Sequence, residues 1–277
     1  MGCGRFNNNE KQGSEQRIVC LAKQYTEIIC ALGADDDLVA VDLSSTFPPR
    51  VHKLPTVGYH RALSIEGILA AKPSLIIHDN NIGPEHVVQQ LEDLKIPMKV
   101  FQHKGNDVKS TKLLMREMGD YFGKKRAADS LCNVLDTDMN ALAAKVSAEG
   151  NSPKVLVIHY GQASNVYLVM TRKSTAAKMV EWAGAQMAVD DDKGMRHLSA
   201  EVVAASDPDV ILITDFGYDK LGSSEKVKDL PGVSGTKAAL NNRIYRVEEH
   251  DLVYIGPRTG RNVLMLHDLI FSHADQE

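Results

Sequence analysis

Cysteine and aromatic residues are scarce in this chain. Four cysteines occur and none belongs to a Cys-x-x-Cys pair, so neither a zinc motif nor a dithiol redox motif is expected. Cys20 and Cys30 lie in apolar patterns and are predicted to be small core residues. Aromatic residues make up 5% of the chain, so a large flat ligand would be packed mainly by aliphatic side chains. The aromatic exceptions would be Tyr160, Tyr167, Phe216, Tyr218 and Tyr254.

The sequence also lacks a long apolar run, an excess of positive charge and the common catalytic motifs. No apolar run reaches the roughly 18 residues that a membrane span needs. The net charge is −4, whereas a nucleic-acid partner requires a basic face. GxSxG, Walker A, GxGxxG and HExxH motifs are all missing. We therefore expect no membrane-spanning segment and no nucleic-acid partner, and nothing positive points to an enzyme, although a catalytic dyad is left open.

The length and the order of the predicted elements indicate two α/β domains. A chain of 277 residues exceeds what one compact core usually holds. Apolar segments of strand length alternate with amphipathic segments, which predicts mainly parallel sheets covered by helices. The first predicted elements are a strand over 17–23, a helix over 26–32 that ends at Gly33, a strand over 38–43, a helix capped by Ser64, a strand over 75–78, a helix over 84–94 and a strand over 98–101.

A proline-free segment and an internal repeat complete the predicted plan. Apolar residues recur at helical spacing over 106–150, which fits one long helix or two abutting ones. Residues 61–77 align with residues 196–212 at a constant offset of 135, with seven of seventeen positions identical. We therefore predict two Rossmann-like lobes joined by a long backbone helix, with a ligand cleft between them. The predicted parts are a flexible tether over 1–16, a lobe over 17–105, the connecting helix over 106–150 and a second lobe over 151–277.

The most informative stretch is Val57-Gly-Tyr-His-Arg-Ala-Leu63, which places a phenol, an imidazole and a guanidinium in three consecutive residues before a helix start. A tyrosine that has lost its proton is a hard anionic donor that suits ferric iron. A nearby cation favours that loss because it stabilises the phenolate. Tyr59 is thus a candidate iron ligand, although its spacing alone is more typical of a half-buried packing residue.

Several stretches together resemble the substrate-binding proteins of bacterial ABC importers that have a long backbone helix, the class that carries haem, cobalamin and siderophores. Within that class the haem-binding subgroup is the most similar. The resemblance covers the chain after the tether. It rests mainly on Asp42-Leu-Ser-Ser-Thr-Phe-Pro-Pro49, Gly58-Tyr-His-Arg61, Leu63-Ser-Ile-Glu-Gly-Ile-Leu69, Ser174-Thr-Ala-Ala177, Leu198-Ser-Ala-Glu201, Leu230-Pro-Gly-Val233 and Gly256-Pro-Arg-Thr259.

The resemblance implies that ferric haem is the transported ligand and Tyr59 its axial iron ligand. Arg61 would favour the phenolate or contact a propionate, and His60 is a further candidate for haem contact. Arg172 and Lys173 are candidates for propionate contacts, although two solvated loop cations explain them as well. Cobalamin or a ferric siderophore are the alternative cargoes, a bare metal ion would require several His and carboxylate ligands, and a haem-modifying enzyme is a further alternative.

Two glutamates occupy equivalent positions of the repeat. In the family that this chain resembles, one acidic residue of each lobe contacts arginines of the membrane permease. That role would fall on Glu66 and Glu201, although each is also a first-turn glutamate that the helix dipole favours. The implied partners are an ABC importer permease and its ATPase, and the implied location is the periplasm or the outer face of the bacterial cytoplasmic membrane.

Cys3 stands in Met1-Gly-Cys-Gly4, ahead of a polar tract without apolar pattern. One interpretation is the mature start of a bacterial lipoprotein, in which Cys3 carries a lipid and tethers the protein to the membrane. The other is acylation at Gly2, but that motif requires Ser or Thr where Phe6 stands. An unmodified cysteine in a disordered tail is the third interpretation, and we favour the lipoprotein.

Overall fold

The computed structural model describes residues 16–161 and 164–272. They divide into two compact units, with the boundary between Gln102 and His103. Each unit carries its own α/β sheet, as predicted. None of the described helices combines the length and the apolar character that crossing a lipid bilayer requires. Cys3 lies outside the described residues, and the exact lobe boundaries stay predictions.

The first unit is built on a parallel sheet of four strands in the order β2-β1-β5-β6. Its core is formed by apolar side chains that the central strands and the covering helices bury, each contributing about 1.5–3 kcal/mol of transfer free energy. The elements, in chain order, are β1 (Ile18–Cys20), α1 (Lys23–Ala31), β2 (Leu38–Val41), a 3₁₀ helix (Pro49–Lys53), β3 (Gly58–Tyr59), β4 (Ala62–Leu63), α2 (Ile65–Ala70), β5 (Leu75–Ile77), α3 (Glu85–Asp93) and β6 (Met98–Lys99).

Helix α1 begins three residues earlier than the sequence predicts, and strand β1 is correspondingly shorter. The predicted strand over 17–23 is wrong beyond Cys20, because the chain turns into the helix at Lys23. The N-cap residue is Ala22, whose side chain cannot accept a hydrogen bond, so the sequence offers no capping signal there. The predicted end is confirmed, since Gly33 takes a left-handed φ of +64° just after the helix.

The second unit begins with the segment predicted to be helical over 106–150. It forms two helices, α4 (Val108–Tyr121) and α5 (Lys125–Ala148), so the two-helix alternative is confirmed. Gly123 has a φ of +67° at the break between them. A Cβ at Gly119 would lie 2.5 Å from the Cβ of Ala128, so the helices can approach closely only because residue 119 has no side chain.

The sheet of the second unit follows the order β10-β8-β7-β11-β12, with β9 beside β7. Strands β7, β11, β12 and β9 pair in parallel, whereas β8 pairs antiparallel with both β7 and β10. The elements after α5 are β7 (Lys154–Gly161), β8 (Val166–Met170), α6 (Thr175–Trp182), β9 (Gln186–Met187), β10 (Met195–His197), α7 (Ala200–Ser206), β11 (Val210–Thr214), α8 (Asp215–Leu221), α9 (Ser224–Val227), a 3₁₀ helix (Val233–Gly235), α10 (Lys237–Leu240), β12 (Ile244–Val247), α11 (Glu249–Val253) and α12 (Thr259–Phe271).

The internal repeat corresponds to equivalent structure in the two units. Helix α2 over 65–70 matches α7 over 200–206, and strand β5 over 75–77 matches β11 over 210–214. Ser64 accepts a hydrogen bond from the Gly67 amide, and its repeat partner Ser199 accepts one from the Val202 amide. Both serines are therefore N-caps, as the sequence predicts for Ser64.

Candidate functional site

A short β-hairpin of the first unit presents Tyr59. Strand β3 pairs antiparallel with β4, so that Tyr59 lies opposite Ala62 and the turn is formed by His60 and Arg61. We call residues 58–63 the Tyr59 hairpin. Three of the five residues predicted to bind iron or to contact haem therefore lie on one hairpin.

Backbone hydrogen bonds fix the Tyr59 hairpin on two sides. On one side the amide of Leu43 donates to the carbonyl oxygen of Gly58 at 2.8 Å. On the other the amide of Gly83 donates to the carbonyl oxygen of His60 at 2.8 Å, and the amide of Leu63 donates to that of Gly83 at 2.9 Å. Gly58 has a φ of +101°, which residues with side chains rarely adopt. The position of the hairpin is thus set by main-chain contacts.

Tyr59 remains open to an external ligand. Its residue is 44% exposed, and the neighbouring Leu43 is 60% exposed. The ring of Tyr59 lies against that of His60, with centroids 4.3 Å apart and planes inclined by 55°. An exposed phenol can offer a hard donor oxygen to a metal, and an exposed leucine whose backbone is bonded to the same hairpin can offer apolar contact to a flat ligand.

A buried carboxylate lies behind the hairpin. Asp42 follows strand β2, its side chain has no exposed surface, and its Oδ2 lies 3.2 Å from Nδ1 of His60. The same carboxylate accepts hydrogen bonds from the backbone amide and hydroxyl of Ser44 and from the hydroxyl of Ser45. Burial raises the pKa of Asp42, but the hydrogen bonds from His60, Ser44 and Ser45 outweigh it and hold this pKa below its ordinary value.

Asp42, His60 and Ser44 resemble the members of a catalytic triad in type but not in arrangement. In a triad the serine and the carboxylate contact different nitrogens of the imidazole. Here the Ser44 hydroxyl lies 3.4 Å from the same Nδ1 that faces Asp42. The histidine cannot relay a proton from Ser44 through its other nitrogen, so this cluster supports the side chains of the hairpin rather than an acyl-transfer reaction.

Arg61 is exposed at the turn of the Tyr59 hairpin. Its Nε donates to Oδ1 of Asn81 at 3.0 Å. The amide of Asn81 in turn donates to Oδ1 of Asp79 at 3.0 Å, so the guanidinium is attached to a structured loop. A guanidinium has five N–H donors, and this contact uses one of them. Arg61 therefore keeps donors for an anionic group at the turn of the hairpin that carries Tyr59.

The two predicted docking glutamates are exposed in the first turns of equivalent helices. Glu66 lies in α2 and Glu201 in α7, each two residues after its serine N-cap. A hydrogen bond with Ser199 lowers the pKa of Glu201 from its ordinary value. Both carboxylates also lie at the positive end of a helix dipole. Each unit thus presents a glutamate carboxyl group at a surface position that the repeat makes equivalent.

Arg172 and Lys173 follow strand β8 in the second unit, and their environments differ. Nη1 of Arg172 lies 3.4 Å from Oδ2 of Asp190, with both side chains largely exposed. Lys173 is exposed, and within the described ranges it forms no ion pair. The acidic run that begins at Asp190 therefore already compensates one of these two cations. Their predicted contacts with propionates stay predictions.

A polar cluster that the sequence did not reveal lies at the carboxyl ends of strands β7 and β11. Nζ of Lys220 donates to Oη of Tyr160 at 2.6 Å and to Oδ1 of Asn165 at 2.9 Å. Tyr160 is nearly buried, whereas Phe216 on the same helix as Lys220 is 47% exposed. Ligands of open α/β sheets bind at the carboxyl ends of the strands, so the exposed Phe216 is a candidate for ligand contact. Spacing gave no signal, because Lys220 and Tyr160 lie 60 residues apart.

The histidines at the ends of strands form contacts with other residues of the same unit. His78 is buried, its Nδ1 accepts a hydrogen bond from the Asn80 amide at 3.3 Å, and burial lowers its pKa. Nδ1 of His159 lies 3.1 Å from Oε2 of Glu249. In residues 16–161 and 164–272, no group of three or more His, Cys, Asp or Glu side chains is arranged to hold a metal ion.

Comparison with known proteins agrees with the two-lobed fold. The family model described as Periplasmic binding protein matches residues 18–250. Among solved structures, the apo form of the periplasmic heme-binding protein RhuT from Roseiflexus sp. RS-1 is 31% identical, with 92% of this chain and 98% of that chain covered and a TM-score of 0.83.

Two curated relatives have other printed descriptions. The ABC transporter substrate-binding lipoprotein YvrC of Bacillus subtilis (strain 168), itself uncharacterized, is 26% identical over 269 residues, which cover 95% of this chain and 82% of that protein. A vitamin B12-binding protein of Pectobacterium carotovorum subsp. carotovorum (strain PC1) is 25% identical over 200 residues, covering 72% and 71% of the two chains.

Proposed function

This chain belongs to the periplasmic binding protein family, and on that premise we propose that it is the substrate-binding protein of a bacterial ABC importer and that its cargo is ferric haem. The observation that carries the haem assignment is the exposed phenol of Tyr59 on a hairpin whose turn also carries the exposed cation of Arg61. The similarity to a periplasmic heme-binding protein over nearly the whole chain supports it.

The chemistry of the hairpin fits ferric porphyrin. Phenolate oxygen is a hard donor that holds iron in the ferric state, and Arg61 offsets the negative charge that ligation creates at Tyr59. The remaining donors of Arg61 suit a propionate, because guanidinium and carboxylate match in geometry. We also propose that the exposed Leu43, whose amide is bonded to the hairpin at Gly58, contacts one face of the ring. Haem contact by His60 is a further part of the proposal.

A titration of purified protein with ferric haem tests the assignment. We expect a saturable complex with a high-spin tyrosinate spectrum, and Tyr59→Phe should lose that spectrum and bind about 10- to 100-fold more weakly, which is roughly 1.4–2.7 kcal/mol. Tyr121→Phe is the matched control, because Tyr121 is 43% exposed on helix α4 and should leave binding unchanged. Unchanged affinity and spectrum in Tyr59→Phe would contradict the proposal.

Propionate contacts from Arg172 and Lys173 are part of the proposal and can be ranked. Arg172 is already paired with Asp190, so its loss should remove less net attraction for an anionic group. Lys173→Ala is therefore expected to weaken haem binding more than Arg172→Ala, and both should be sensitive to salt. An effect of neither variant would remove these two residues from the proposed site.

Cobalamin is the second candidate cargo, because a vitamin B12-binding protein is among the relatives. Cobalamin lacks the ferric centre for which a phenolate is suited, so the exposed Tyr59 favours haem. Competition between haem, cyanocobalamin and a ferric siderophore for the same protein decides between these cargoes. Uptake of cobalamin without uptake of haem would replace the cargo and keep the family. Incubation of the haem complex with a reductant, followed by analysis of the pigment, separates a carrier from a haem-modifying enzyme.

Docking to the permease is proposed for Glu66 and Glu201. An importer with two similar membrane subunits requires one contact from each lobe, and the repeat supplies equivalent first-turn carboxylates. Reversing both charges to arginine should abolish stimulation of the cognate importer's ATPase in proteoliposomes and leave haem affinity unchanged. Glu85→Arg is the control, since Glu85 is an exposed glutamate in the first turn of α3. A loss of haem affinity in the double variant would place these residues at the cargo instead.

The proposed location is the periplasm or the outer face of the cytoplasmic membrane, with a lipid on Cys3 as the tether. The tether is proposed by analogy with a relative described as a substrate-binding lipoprotein. Intact mass spectrometry of protein isolated from native membranes should show a diacylglyceryl modification that is lost in Cys3→Ser. An unmodified mass for the native protein would contradict the tether and leave the cargo proposal untouched.

A further inference from the structure

The side-chain hydrogen bonds of Asp42 to the described residues divide into local ones and one distant one. Ser44 and Ser45 donate from two and three residues away, whereas His60 reaches the carboxylate from 18 residues away. The local donors already supply three hydrogen bonds to a side chain without exposed surface. The carboxylate is therefore already hydrogen-bonded without His60. The main effect of the bond between them is to fix the histidine.

This bond also fixes which edge of the imidazole faces outward. An ionised carboxylate only accepts, so Nδ1 of His60 must carry the proton shared with Asp42. The Nε2 edge lies across the ring from Nδ1 and hence away from Asp42. Only 12% of the His60 side chain is exposed, and Ser44 lies 3.4 Å from Nδ1, so the ring has little freedom to rotate.

The ring so held is the neighbour of the candidate iron ligand. Tyr59 belongs to a strand of two residues and is 44% exposed, so few contacts restrict its side chain. The His60 ring, 4.3 Å away at 55°, provides a surface against which the phenol can be oriented. Ligands that bind metals tightly are held in place by such supporting contacts.

We propose that Asp42 and His60 are positioning residues for Tyr59: the carboxylate fixes the imidazole, and the imidazole ring holds the phenol in the direction that ligates iron. The inference rests on the proposed function and deepens it, because it assigns the support of the iron ligand. It also gives Asp42 a role in cargo binding, although that side chain is buried and touches no cargo.

The test compares haem affinity and the iron–phenolate signature in variants of the full chain. Asp42→Asn and His60→Ala should each weaken haem binding roughly 10-fold and broaden or shift the tyrosinate charge-transfer band and the iron–oxygen stretch in resonance Raman spectra. His60→Phe keeps a ring against Tyr59 without the bond to Asp42, so it should recover part of the affinity lost in His60→Ala. If Asp42 and His60 had only a structural role, the iron–oxygen stretch would not change in these variants. His60→Phe would then not bind haem more tightly than His60→Ala.

Asp35→Asn is the matched control. Asp35 precedes strand β2, at the end opposite to Asp42, and forms an ion pair with Arg50 at 2.7 Å. It removes one carboxylate charge from the same unit and should leave affinity and spectrum unchanged. Near-ultraviolet circular dichroism checks that each variant is folded. If Asp42→Asn does not fold, the comparison of His60→Phe with His60→Ala carries the test, because both remove the bond to Asp42 and keep the carboxylate.

Each outcome separates this inference from the haem assignment. Wild-type affinity and signature in both Asp42→Asn and His60→Ala, with weak binding in Tyr59→Phe, would overturn the positioning role and keep haem as cargo. An imidazole–iron signature in the wild type that His60→Ala removes would make His60 itself a ligand and overturn the positioning role as well. Failure of Tyr59→Phe to change binding would overturn the proposed function itself.

Discussion

Gly232 allows a close approach on which the position of Glu201 depends. It precedes the 3₁₀ helix over 233–235 with a φ of +79°, and a Cβ there would lie 2.8 Å from the carbonyl oxygen and 2.9 Å from the Cα of Ala200. Ala200 is the first residue of helix α7, directly before Glu201. Because both near atoms belong to the backbone, no side chain can rotate away, and the start of the helix must shift.

The expected cost of Gly232→Ala has two parts. A left-handed conformation costs a residue with a side chain about 1–2 kcal/mol, and forcing packed backbone apart adds about 1–3 kcal/mol. Gly222→Ala isolates the first part, since Gly222 has a φ of +91° at the end of α8 and a Cβ there meets nothing within 4 Å. We therefore expect Gly222→Ala to lose about 1–2 kcal/mol of unfolding free energy and Gly232→Ala to lose about 2–5 kcal/mol.

Urea unfolding followed by tryptophan fluorescence measures this difference. Trp182 is the single tryptophan of the chain and packs against the core of the second unit, so its emission reports on the unit that contains both glycines. The second readout is ATPase stimulation, which Gly232→Ala should reduce through the displaced start of α7 while Gly222→Ala does not. Equal destabilisation by the two substitutions would refute the close contact at Ala200.

Three further outcomes follow from burial and charge. Burial raises the pKa of the Cys20 thiol to about 12, so in folded Cys3→Ser protein at pH 8 its thiolate should be roughly 1,000-fold rarer than for an ordinary cysteine, and alkylation should require unfolding. Burial alone would raise the pKa of the Asp42 carboxyl group, but hydrogen bonds hold this pKa below the ordinary value. Its stabilisation is therefore present above about pH 3.9 and lost as pH falls through the lower folded-state pKa. Acid unfolding should show the stability gap between wild type and Asp42→Asn closing below about pH 4, and a constant gap would contradict this. Ile76→Ala in fully buried β5 should cost about 2–5 kcal/mol by denaturant unfolding, whereas Leu94→Ala, at a 53% exposed position, should cost under about 0.5 kcal/mol.

The elements that sequence reasoning placed correctly are those with strong local signals. Ser64 caps a helix and Gly33 ends one, because each meets a requirement that its own residue type satisfies. The start of α1 was misplaced since Ala22 gives no such signal. The Tyr59 hairpin was missed because each of its strands has two residues, too few for a pattern of alternation.

The residues of the candidate site likewise divide into those with a local sequence signal and those without one. Tyr59, His60 and Arg61 are consecutive, so a local motif was enough to single them out. The sequence places Asp42 in a stretch that resembles a family and indicates no role for it, because its contact with His60 spans 18 residues. The Lys220–Tyr160 contact spans 60 residues and was invisible for the same reason. Contacts between distant residues depend on the sheet that brings them together, and one sequence does not encode them in its spacing.

Substitutions at Asp42 and at His60 should differ in their cost to stability, and this difference is the last prediction. Asp42 gathers donors from two serines besides the histidine, so Asp42→Ala leaves several buried donors unpaired and should cost about 3–5 kcal/mol of unfolding free energy. His60→Phe leaves the carboxylate with its local donors and should cost only about 0.5–1.5 kcal/mol. A supporting contact for a metal ligand should orient a neighbouring side chain and contribute little to stability. The bond between Asp42 and His60, the neighbour of Tyr59, would then meet both requirements. Thermal unfolding of the two variants decides the point, because equal costs would mean that His60 serves the core rather than the hairpin.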